Sequence, residues 1–455
     1  QGARAALSSG PGEHDGAAPE ASGAAPHVAI DDRLAAYRGG GIAEHVDRLL
    51  AGLAELAAAG QLPAGHRITR LVHRRAAQRE AGAASGPHGD EAARSAPTGP
   101  PPGFDVRPLW TPPHHRLEGL ALPAELALAG GADVLHSPDF IVPRLWRGAA
   151  VATVHDLAFL RHPELLTGQS RRYYGGVHAS VARADAVIAV SEHTRRELLA
   201  LTAVDPARVH VVQNAIPRRF FAPGDPAADA AVLRRLGLEP PFVLFVGTIE
   251  PRKNIVVLLE AFRRLRDEGR GVRLALAGAD GWHSAPVYAR AEALGLVAPR
   301  DVGSAGGATA AHAVFLGRVA DGDLHALYRS AAVLAHPALD EGFGLTPLEA
   351  MAAGTPAVVA DAGALPEVTG DAALHVPSGD PAAWAAALGA LLDEPARRGA
   401  LSAAGRARAG EFTEARMAVG AWGVYEEAWD RWRLGRPSGV TPEPGGVSPS
   451  MPPNR

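Results

Sequence analysis

Short runs of apolar and β-branched residues alternate along the chain with stretches in which apolar positions recur every three or four residues. The first pattern predicts buried strands, and the second predicts amphipathic helices. Strand-like runs in the first half lie at 27–31, 66–73, 104–110, 132–137, 150–156, 186–191 and 208–214. Strands that alternate with helices indicate a parallel sheet that is covered on both faces.

The alternation is interrupted at 218–240, where proline, glycine and aspartate cluster, and it restarts with the run "PFVLFVG". We therefore predict an α/β fold of two doubly wound, Rossmann-like domains, 27–217 and 241–416, joined by an interdomain linker at 218–240. Sheets of this kind bind ligands outside the carboxyl ends of their strands. The two domains are thus expected to face a central cleft that both of them line.

Four segments do not fit the alternation of strands and helices. Residues 1–26 lack the basic-then-apolar layout of a secretory signal and are predicted to be a disordered leader. The Gly/Pro-rich stretch 80–103 predicts a flexible insertion, and 435–455 predicts a disordered tail. Residues 417–434 carry three tryptophans and predict a C-terminal helix that packs across both domains.

The composition narrows the function classes. Because the 455 residues include no cysteine, disulfides, thiolate nucleophiles and cysteine-ligated metal centres are excluded. A formal net charge of −4 gives no overall attraction for nucleic acid. No apolar run is long enough to span a bilayer, so we expect a cytoplasmic protein. The basic stretch 66–80 is interpreted either as a strand with solvated arginines or as a patch for an anionic lipid or acceptor, which leaves peripheral membrane contact open.

Lys253 stands out because it is the only lysine among 45 basic residues, and it precedes Asn254, one of three asparagines. Lysine and asparagine share A-rich codons, so this usage indicates pressure against both residue types. Arginine could replace a surface lysine at little cost, but a compact ammonium is not interchangeable with a guanidinium where a point charge is needed. Lys253 is therefore a candidate site residue, with survival by chance as the alternative.

The stretch "HPALDEGFGLTPLEAMAAGTP" carries two glutamates around a glycine-rich turn. Thr346, followed by Pro347 and Glu349, predicts a capping box at a helix start. Glu341 lies before the turn, at the ligand-binding edge of the sheet. The backbone amides of the turn offer a site for an anion. Two carboxylates beside such a turn suit a ligand with phosphate in the middle and hydroxyls at each end, as in a nucleotide sugar.

Several motifs, taken together and in this order, resemble the retaining GT-B glycosyltransferases of family four, over residues from about 27 to 434. They are "RGGGIAEHVDRLL", "VATVHDLAFL", "AVIAVSEHTRREL", "VVQNAI", "FVLFVGTIEPRKNIVVLLEAF", "GALPEV" and the long segment that runs from "VFLGRVADGDLHALY" through "DEGFGLTPLEAMAAGTPAVV". The resemblance implies the GT-B fold and a hexosyltransferase that uses neither a metal nor a cofactor.

By this resemblance, Glu349 would hold the ribose hydroxyls of the donor, and Glu341 would contact the transferred sugar near its anomeric centre. Arg252 and Lys253 would neutralise the diphosphate, and His155 would line the sugar or acceptor site. The implied catalytic residues are Glu341, His155, Arg252 and Lys253. The implied donor-binding residues are Gly40, Gly41, Gly247, Arg252, Lys253, Gly342, Phe343, Gly344, Leu345 and Glu349. Asp156 would support His155 in lining the acceptor side.

The chain departs from the commonest family pattern at Thr248, where many members carry arginine, and at Ala215, where glycine is usual. Its motif variants resemble the mannosyl- and rhamnosyltransferase branch, which favours a GDP-sugar donor and a mannose-like hexose. The acceptor is expected to be a sugar, a polysaccharide or a lipid-linked sugar of bacterial cell-envelope or polysaccharide synthesis.

The alternatives are a sugar-nucleotide epimerase of the same two-domain shape and a catalytically inactive glycan-binding or scaffold protein. A dinucleotide-dependent oxidoreductase is disfavoured, because neither "YRGGGIAEH" nor "FVGTIEPRK" supplies the required glycine fingerprint.

Overall fold

The computed structural model describes residues 25–36, 41–75, 104–115, 117–161, 175–297 and 312–435. Two parallel sheets follow one another along this part of the chain. The predicted leader up to residue 24, the insertion at 80–103 and the tail after 435 lie outside the described residues, so these three remain predictions.

Within the described residues the first sheet has seven strands in the order β3-β2-β1-β4-β5-β6-β7. The strands are β1 (His27–Asp31), β2 (Arg67–His73), β3 (Phe104–Leu109), β4 (Val134–Ser137), β5 (Ala149–Val154), β6 (Ala186–Ala189) and β7 (Val209–Val211). The helices are α1 (Gly41–Ala58), α2 (Glu118–Leu128), α3 (Ala158–Arg161), α4 (Val177–Arg183) and α5 (Glu192–Leu201), with 3-10 helices at Arg33–Ala36 and Pro206–Arg208. The central strands β5 and β6 are buried along their whole length, as expected for a parallel sheet covered on both faces.

The second sheet has six strands among the described residues, in the order β10-β9-β8-β11-β12-β13. They are β8 (Phe242–Val246), β9 (Arg273–Ala277), β10 (Ala313–Gly317), β11 (Val333–His336), β12 (Ala357–Ala360) and β13 (Leu374–Val376). The helices are α6 (Pro226–Arg235), α7 (Ile255–Asp267), α8 (Ala285–Ala293), α9 (Asp321–Ser330), α10 (Leu345–Ala352), α11 (Leu365–Thr369), α12 (Pro381–Asp393), α13 (Pro395–Ala409) and α14 (Glu414–Leu434). Short 3-10 helices lie at Arg218–Phe221, Pro251–Lys253 and Gly370–Ala372.

In each sheet the strand order reverses at one point, between β1 and β4 in the first and between β8 and β11 in the second. At the second reversal, Leu244 of β8 lies beside Leu334 of β11 in a parallel pair. Open α/β sheets bind ligands at the carboxyl edge of such a reversal, because the crossover helices leave it on opposite faces. The predicted class of two doubly wound α/β domains facing a cleft is confirmed. The loops after β8 and β11 lie at the edge where such a sheet binds its ligand.

The segment predicted as a linker contains helix α6. Asp225 accepts a hydrogen bond from the Ala227 amide at 2.9 Å, and Pro226 occupies the first turn. An aspartate followed by proline is therefore a helix start here rather than a break. Leu233 of α6 and the nearby Leu238 are buried in the core of the second sheet. Most of the segment packs as part of the second half of the molecule.

The helix predicted at 417–434 runs from Glu414 to Leu434. Its buried residues, among them Met417, Trp422 and Tyr425, join a core on one face of the first sheet, so the end of the chain returns to the first half. None of the helices in the described part of the chain combines the length and apolar character that a membrane crossing requires.

Helices α1 and α14 are closely packed at Gly52. A Cβ atom added there would lie 2.0 Å from the carbonyl oxygen of Glu414. We predict that Gly52→Ala destabilises the protein by about 1–3 kcal/mol, because the two helices must move apart to admit the methyl group. Chemical denaturation monitored by circular dichroism would measure the effect.

Gly423 on α14 supplies the matched control. It is exposed, and an added Cβ would meet no heavy atom within 4 Å. Alanine there should leave stability unchanged or raise it by up to about 1 kcal/mol, since glycine is a poor helix former. If both variants unfold at the same denaturant concentration, close packing does not exclude a side chain at position 52.

Candidate active site

The carboxyl ends of the two sheets enclose a cleft of about 750 Å³. It is lined by nearly all of the residues predicted from the sequence: Gly41, His155, Asp156, Gly247, Arg252, Lys253, Glu341, Gly342, Phe343, Gly344, Leu345 and Glu349. Gly40 lies outside the described residues. The structure thus brings the candidate residues together, while their individual roles stay predictions.

Glu341, in the loop after β11, contacts three basic side chains. Its Oε1 forms an ion pair with Lys253 Nζ and lies 2.9 Å from His336 Nε2, and its Oε2 lies 3.2 Å from Arg252 Nη1. Burial favours the protonated acid, but Lys253 and then Arg252 outweigh it and hold the pKa of Glu341 well below its usual range. Arg252 Nη2 also lies 3.1 Å from Glu250 Oε1. The cations and carboxylates therefore hold one another in fixed positions.

The loop that carries Arg252 and Lys253 is a 3-10 turn that ends at Asn254. Asn254 has φ 52°, a left-handed conformation that asparagine tolerates better than most residues. Its Nδ2 donates to the carbonyls of Pro337 at 3.1 Å and Ser378 at 2.7 Å. This asparagine therefore ties the loop after β8 to the loop after β11. The backbone from which Arg252 and Lys253 extend is thus held in place.

The glycine-rich turn brings the two halves of the molecule into contact. A Cβ atom on Gly342 would lie 1.8 Å from the carbonyl oxygen of His155 and 2.9 Å from Cβ of Asp156. Ser191 Oγ, at the start of α5, donates to the Gly342 carbonyl at 2.6 Å. Only glycine allows this approach without displacing the loop after β5.

The capping box predicted at Thr346 is wrong. Helix α10 begins at Leu345, and its N-cap is Gly344 with φ 102° and no side-chain capping bond. The left-handed glycine starts the helix earlier than the sequence pattern indicates, so Glu349 lies in the second turn. Its carboxylate is therefore free of any capping role.

Glu349 instead bonds to side chains from both halves of the molecule. Its Oε1 accepts from Arg48 Nη2 of α1 at 3.0 Å, and its Oε2 accepts from the Tyr328 hydroxyl at 3.1 Å. Arg48 also pairs with Glu44 at 2.7 Å and donates to the Ala215 carbonyl at 3.0 Å. Burial raises the pKa of Glu349 to about 7, although the Arg48 charge opposes the shift.

His155 follows β5 and packs, partly buried, against the ring of His45, with 4.7 Å between ring centroids. Its Nε2 lies 2.8 Å from the Pro138 carbonyl. A carbonyl accepts, so Nε2 carries the proton and Nδ1 is the basic nitrogen. Burial lowers the pKa of His155 below its ordinary value, although the hydrogen bond to the Pro138 carbonyl opposes the shift. The neutral ring can accept one hydrogen bond through Nδ1.

Sequence reasoning did not assign Arg48, Tyr328, His336 or Trp282. Arg48 is buried on the side of α1 that also carries His45 and Gly52, spaced three and four residues away, and that spacing was a usable signal. His336 ends a fully buried strand. Trp282 lines the cleft although its side chain is partly exposed, and nothing in the sequence pattern pointed to it.

Two family models match the chain. The model described as "Glycosyltransferase Family 4" matches residues 39–220, and the model described as "Glycosyl transferases group 1" matches residues 231–408. The chain is 33% identical over 284 residues to O-antigen chain mannosyltransferase B of Escherichia coli, covering 62% of this chain and 70% of that protein. It is 32% identical over 359 residues to D-inositol 3-phosphate glycosyltransferase of Nocardia farcinica, covering 72% and 77%.

Solved structures share the fold. Sucrose-phosphate synthase from Thermosynechococcus elongatus superposes with a TM-score of 0.64 at 21% identity, over 89% of this chain and 99% of that one. Anabaena HepE in complex with UDP and glucose gives a TM-score of 0.62 at 18% identity, over 87% and 97%. These likenesses confirm the predicted GT-B arrangement.

The raised pKa of Glu349 predicts a pH-dependent stability. Its value of about 7 in the folded protein exceeds the ordinary 4.5. Such a group stabilises the folded protein fully when the pH is below the pKa that the group has in the unfolded chain. This stabilisation is lost as the pH rises through the pKa that the group has in the folded protein. Between about pH 5 and about pH 7.5, wild type should therefore lose more thermal stability than Glu349→Gln, which cannot ionise.

Melting temperatures of both proteins across this pH range would measure the difference. Asp32, whose pKa burial also raises to about 7, is present in both proteins and cancels in the comparison. The exposed Glu239→Gln serves as the control and should follow wild type. Parallel curves for wild type and Glu349→Gln would contradict the assignment.

Proposed function

The chain belongs to the family of group 1 glycosyl transferases, and on that premise we propose that it moves a hexose from a nucleoside-diphosphate sugar to a hydroxyl acceptor with retention of configuration. The observation that carries the proposal is the contact of one carboxylate, Glu341, with both Lys253 and Arg252 at the strand-order reversal of the second sheet. Fixed cations beside a carboxylate suit a ligand in which a diphosphate adjoins a sugar.

The diphosphate is proposed to lie between the Arg252 and Lys253 side chains and the start of α10. The first amides of a helix are unpaired and carry partial positive charge, so they favour an anion. Negative charge develops on the diphosphate as it leaves, and cations that are already in place stabilise it without reorganisation. Glu341 and Glu250 support this role because they hold the two cations before a donor arrives.

Glu341 is proposed to orient the cations and to accept a hydrogen bond from the transferred sugar. A carboxylate has about four acceptor positions, so its three basic partners leave room for a sugar hydroxyl. The same contacts argue against Glu341 as a covalent nucleophile. Its negative charge is stabilised by Lys253 and Arg252, and attack on a sugar carbon would give up that stabilisation.

In the proposed reaction the acceptor hydroxyl approaches the face of the sugar from which the nucleotide leaves. The bond from the anomeric carbon to the phosphate oxygen breaks, and a bond to the acceptor oxygen forms. The departing phosphate oxygen takes the acceptor proton, so no protein base is needed. His155 and Asp156 are proposed to line the acceptor side of the cleft, where Nδ1 of His155 can accept a hydrogen bond. No metal is required by this scheme.

Glu349 is proposed to bind the ribose hydroxyls. It lines the cleft, and its hydrogen bonds from Arg48 and Tyr328 leave acceptor positions for a diol. Arg48 belongs to the first half and Glu349 to the second. Ribose binding at Glu349 would therefore depend on the contact between the two halves. The donor side is proposed to lie on 241–416 and the acceptor side on 27–217.

For the donor we propose a GDP-linked, mannose-like hexose. The similarity to an O-antigen chain mannosyltransferase supports mannose. The HepE complex contains UDP and glucose, so UDP-sugars are the first competitors to test. The acceptor is proposed to be a sugar hydroxyl of a polysaccharide or a lipid-linked glycan, in keeping with the same relative.

Nucleotide binding is the first test. Wild type, Glu349→Ala and Lys253→Ala would be melted with UDP, GDP, ADP and their sugars. A ligand that binds only the folded protein raises its melting temperature. We expect one nucleotide to stabilise wild type and both substitutions to abolish the shift, with the exposed Glu239→Ala behaving as wild type. If no nucleotide stabilises wild type, or if the shift survives both substitutions, the cleft is misassigned and an inactive scaffold becomes the better reading.

The charge at position 253 should affect turnover at saturating donor in addition to donor affinity. Lys253→Ala is expected to lower kcat by about 10²–10³-fold, the usual cost of removing one group that stabilises transition-state charge. Lys253→Arg keeps the charge but not the compact geometry, so it should restore only part of the rate. Rates would be measured with the donor identified by binding, and the anomeric configuration of the product by NMR.

An inverted product, or full activity in Lys253→Ala, would contradict the proposed mechanism. Free nucleotide formed together with an isomerised sugar, in the absence of acceptor, would instead indicate an epimerase.

A further inference from the structure

Three metal-ligating side chains meet outside the lining of the cleft. His193 and Glu197 lie one turn apart on α5 of the first half, and Asp340 lies in the loop after β11 of the second. His193 Nε2 is 3.1 Å from Asp340 Oδ1 and 3.7 Å from Glu197 Oε2. One ligand atom from each residue can be chosen so that all lie within 4.8 Å of one another.

Both elements that carry these side chains are firmly held. Ser191 caps α5 by accepting from the Thr194 amide at 3.0 Å. Glu367 of the second half accepts from the backbone amides of Glu192 and His193 at 2.9 and 3.0 Å. On the other side, a Cβ on Gly363 would lie 2.8 Å from Asp340 Oδ1, so the Asp340 side chain is closely packed. The cluster therefore has little freedom to rearrange.

The charges of the cluster are incompletely matched. Glu197 and Asp340 are 3% and 7% exposed, so two carboxylates are buried within a few ångströms of each other. Glu197 pairs with Arg161, whose own side chain is half exposed. Among the described residues, no hydrogen-bond partner reaches the buried Oδ2 of Asp340. A buried carboxylate oxygen without a donor is costly, so this atom points to a missing cationic partner.

We propose that His193, Glu197 and Asp340 bind a divalent cation of the zinc type that cross-links the two halves of the molecule. Tetrahedral zinc with bonds of about 2.0–2.2 Å separates its ligand atoms by about 3.4 Å, close to the spacing around His193 Nε2. Zinc accepts both imidazole nitrogen and carboxylate oxygen, so one imidazole and two carboxylates with a water can fill its four positions. Magnesium and calcium prefer oxygen ligands alone.

The position of the cation connects it to the candidate active site without making it part of the chemistry. Asp340 directly precedes Glu341, and the Asp340 carbonyl accepts from Arg252 Nη1 at 2.9 Å. A cation that fixes Asp340 to α5 would stiffen the loop that carries Glu341 and would stabilise the contact between the two halves. The role is structural, so it does not depend on the proposed sugar transfer.

The test uses the full chain, stripped with a chelator and titrated with zinc chloride by isothermal calorimetry in the absence of nucleotide. Wild type should bind one zinc per chain, with bound metal counted by elemental analysis. His193→Gln should bind at least about tenfold more weakly, because it loses the nitrogen ligand. His210→Gln is the matched control, since His210 also lies near a glutamate, at 3.4 Å from Glu427, and should bind as wild type.

Equal affinity in His193→Gln and His210→Gln, or no stoichiometric binding by wild type, would overturn the proposal and leave the cluster as an ion pair between the halves. Glu197→Gln and Asp340→Asn provide two independent variants if His193→Gln does not fold. X-ray absorption at the zinc edge of loaded wild type should show one imidazole with oxygen ligands. Two or more imidazoles would mean that surface histidines hold the metal, which also overturns the proposal.

Discussion

A largely buried carboxylate between two cations is the interaction on which the candidate site depends. Burial alone would raise the pKa of Glu341, but Lys253 and Arg252 outweigh burial and hold that pKa well below its usual range. Removing one partner of a largely buried pair leaves a charge without full compensation, which costs more than the pair itself stabilises. The partners come from the loops after β8 and β11, the neighbouring strands at the reversal of strand order. The sheet topology therefore determines which charges can meet, and their pairing holds the two loops together.

The two glutamates of the glycine-rich stretch have opposite electrostatics although both are buried in one cleft. Glu341 meets two full cations, whereas Glu349 meets only Arg48, whose charge is shared with Glu44. The pKa of the first is accordingly held low, and burial raises that of the second to about 7. Glu341 is a permanent charge at physiological pH. Glu349 exchanges its proton near neutrality, so its capacity to accept hydrogen bonds from a diol varies with pH.

The sequence predicted what depends on local periodicity, and it could not predict what depends on how the two halves face each other. Alternating strands and helices predicted both sheets, and the end of a strand placed Glu341 at the ligand-binding edge. The bond between Arg48 and Glu349 joins residues 301 positions apart and has no local signature. At Thr346 the capping pattern misled, because Gly344 takes a left-handed conformation and starts the helix first. At Asp225 the turn-like composition did not reveal the helix within the predicted linker, since aspartate before proline also begins helices.

The structure gives a physical reason why the rare residue types lysine and asparagine occur at positions 253 and 254. Position 254 needs a left-handed φ and an amide that donates to the carbonyls of Pro337 and Ser378. Glycine would accept the conformation but not form the bonds, and aspartate has no hydrogen to donate when ionised. Asparagine satisfies both demands. The neighbouring Lys253 reaches Glu341 beside Arg252, which already occupies the other carboxylate oxygen. A second planar guanidinium there would have to share that carboxylate with the first, whereas a compact ammonium takes one oxygen only.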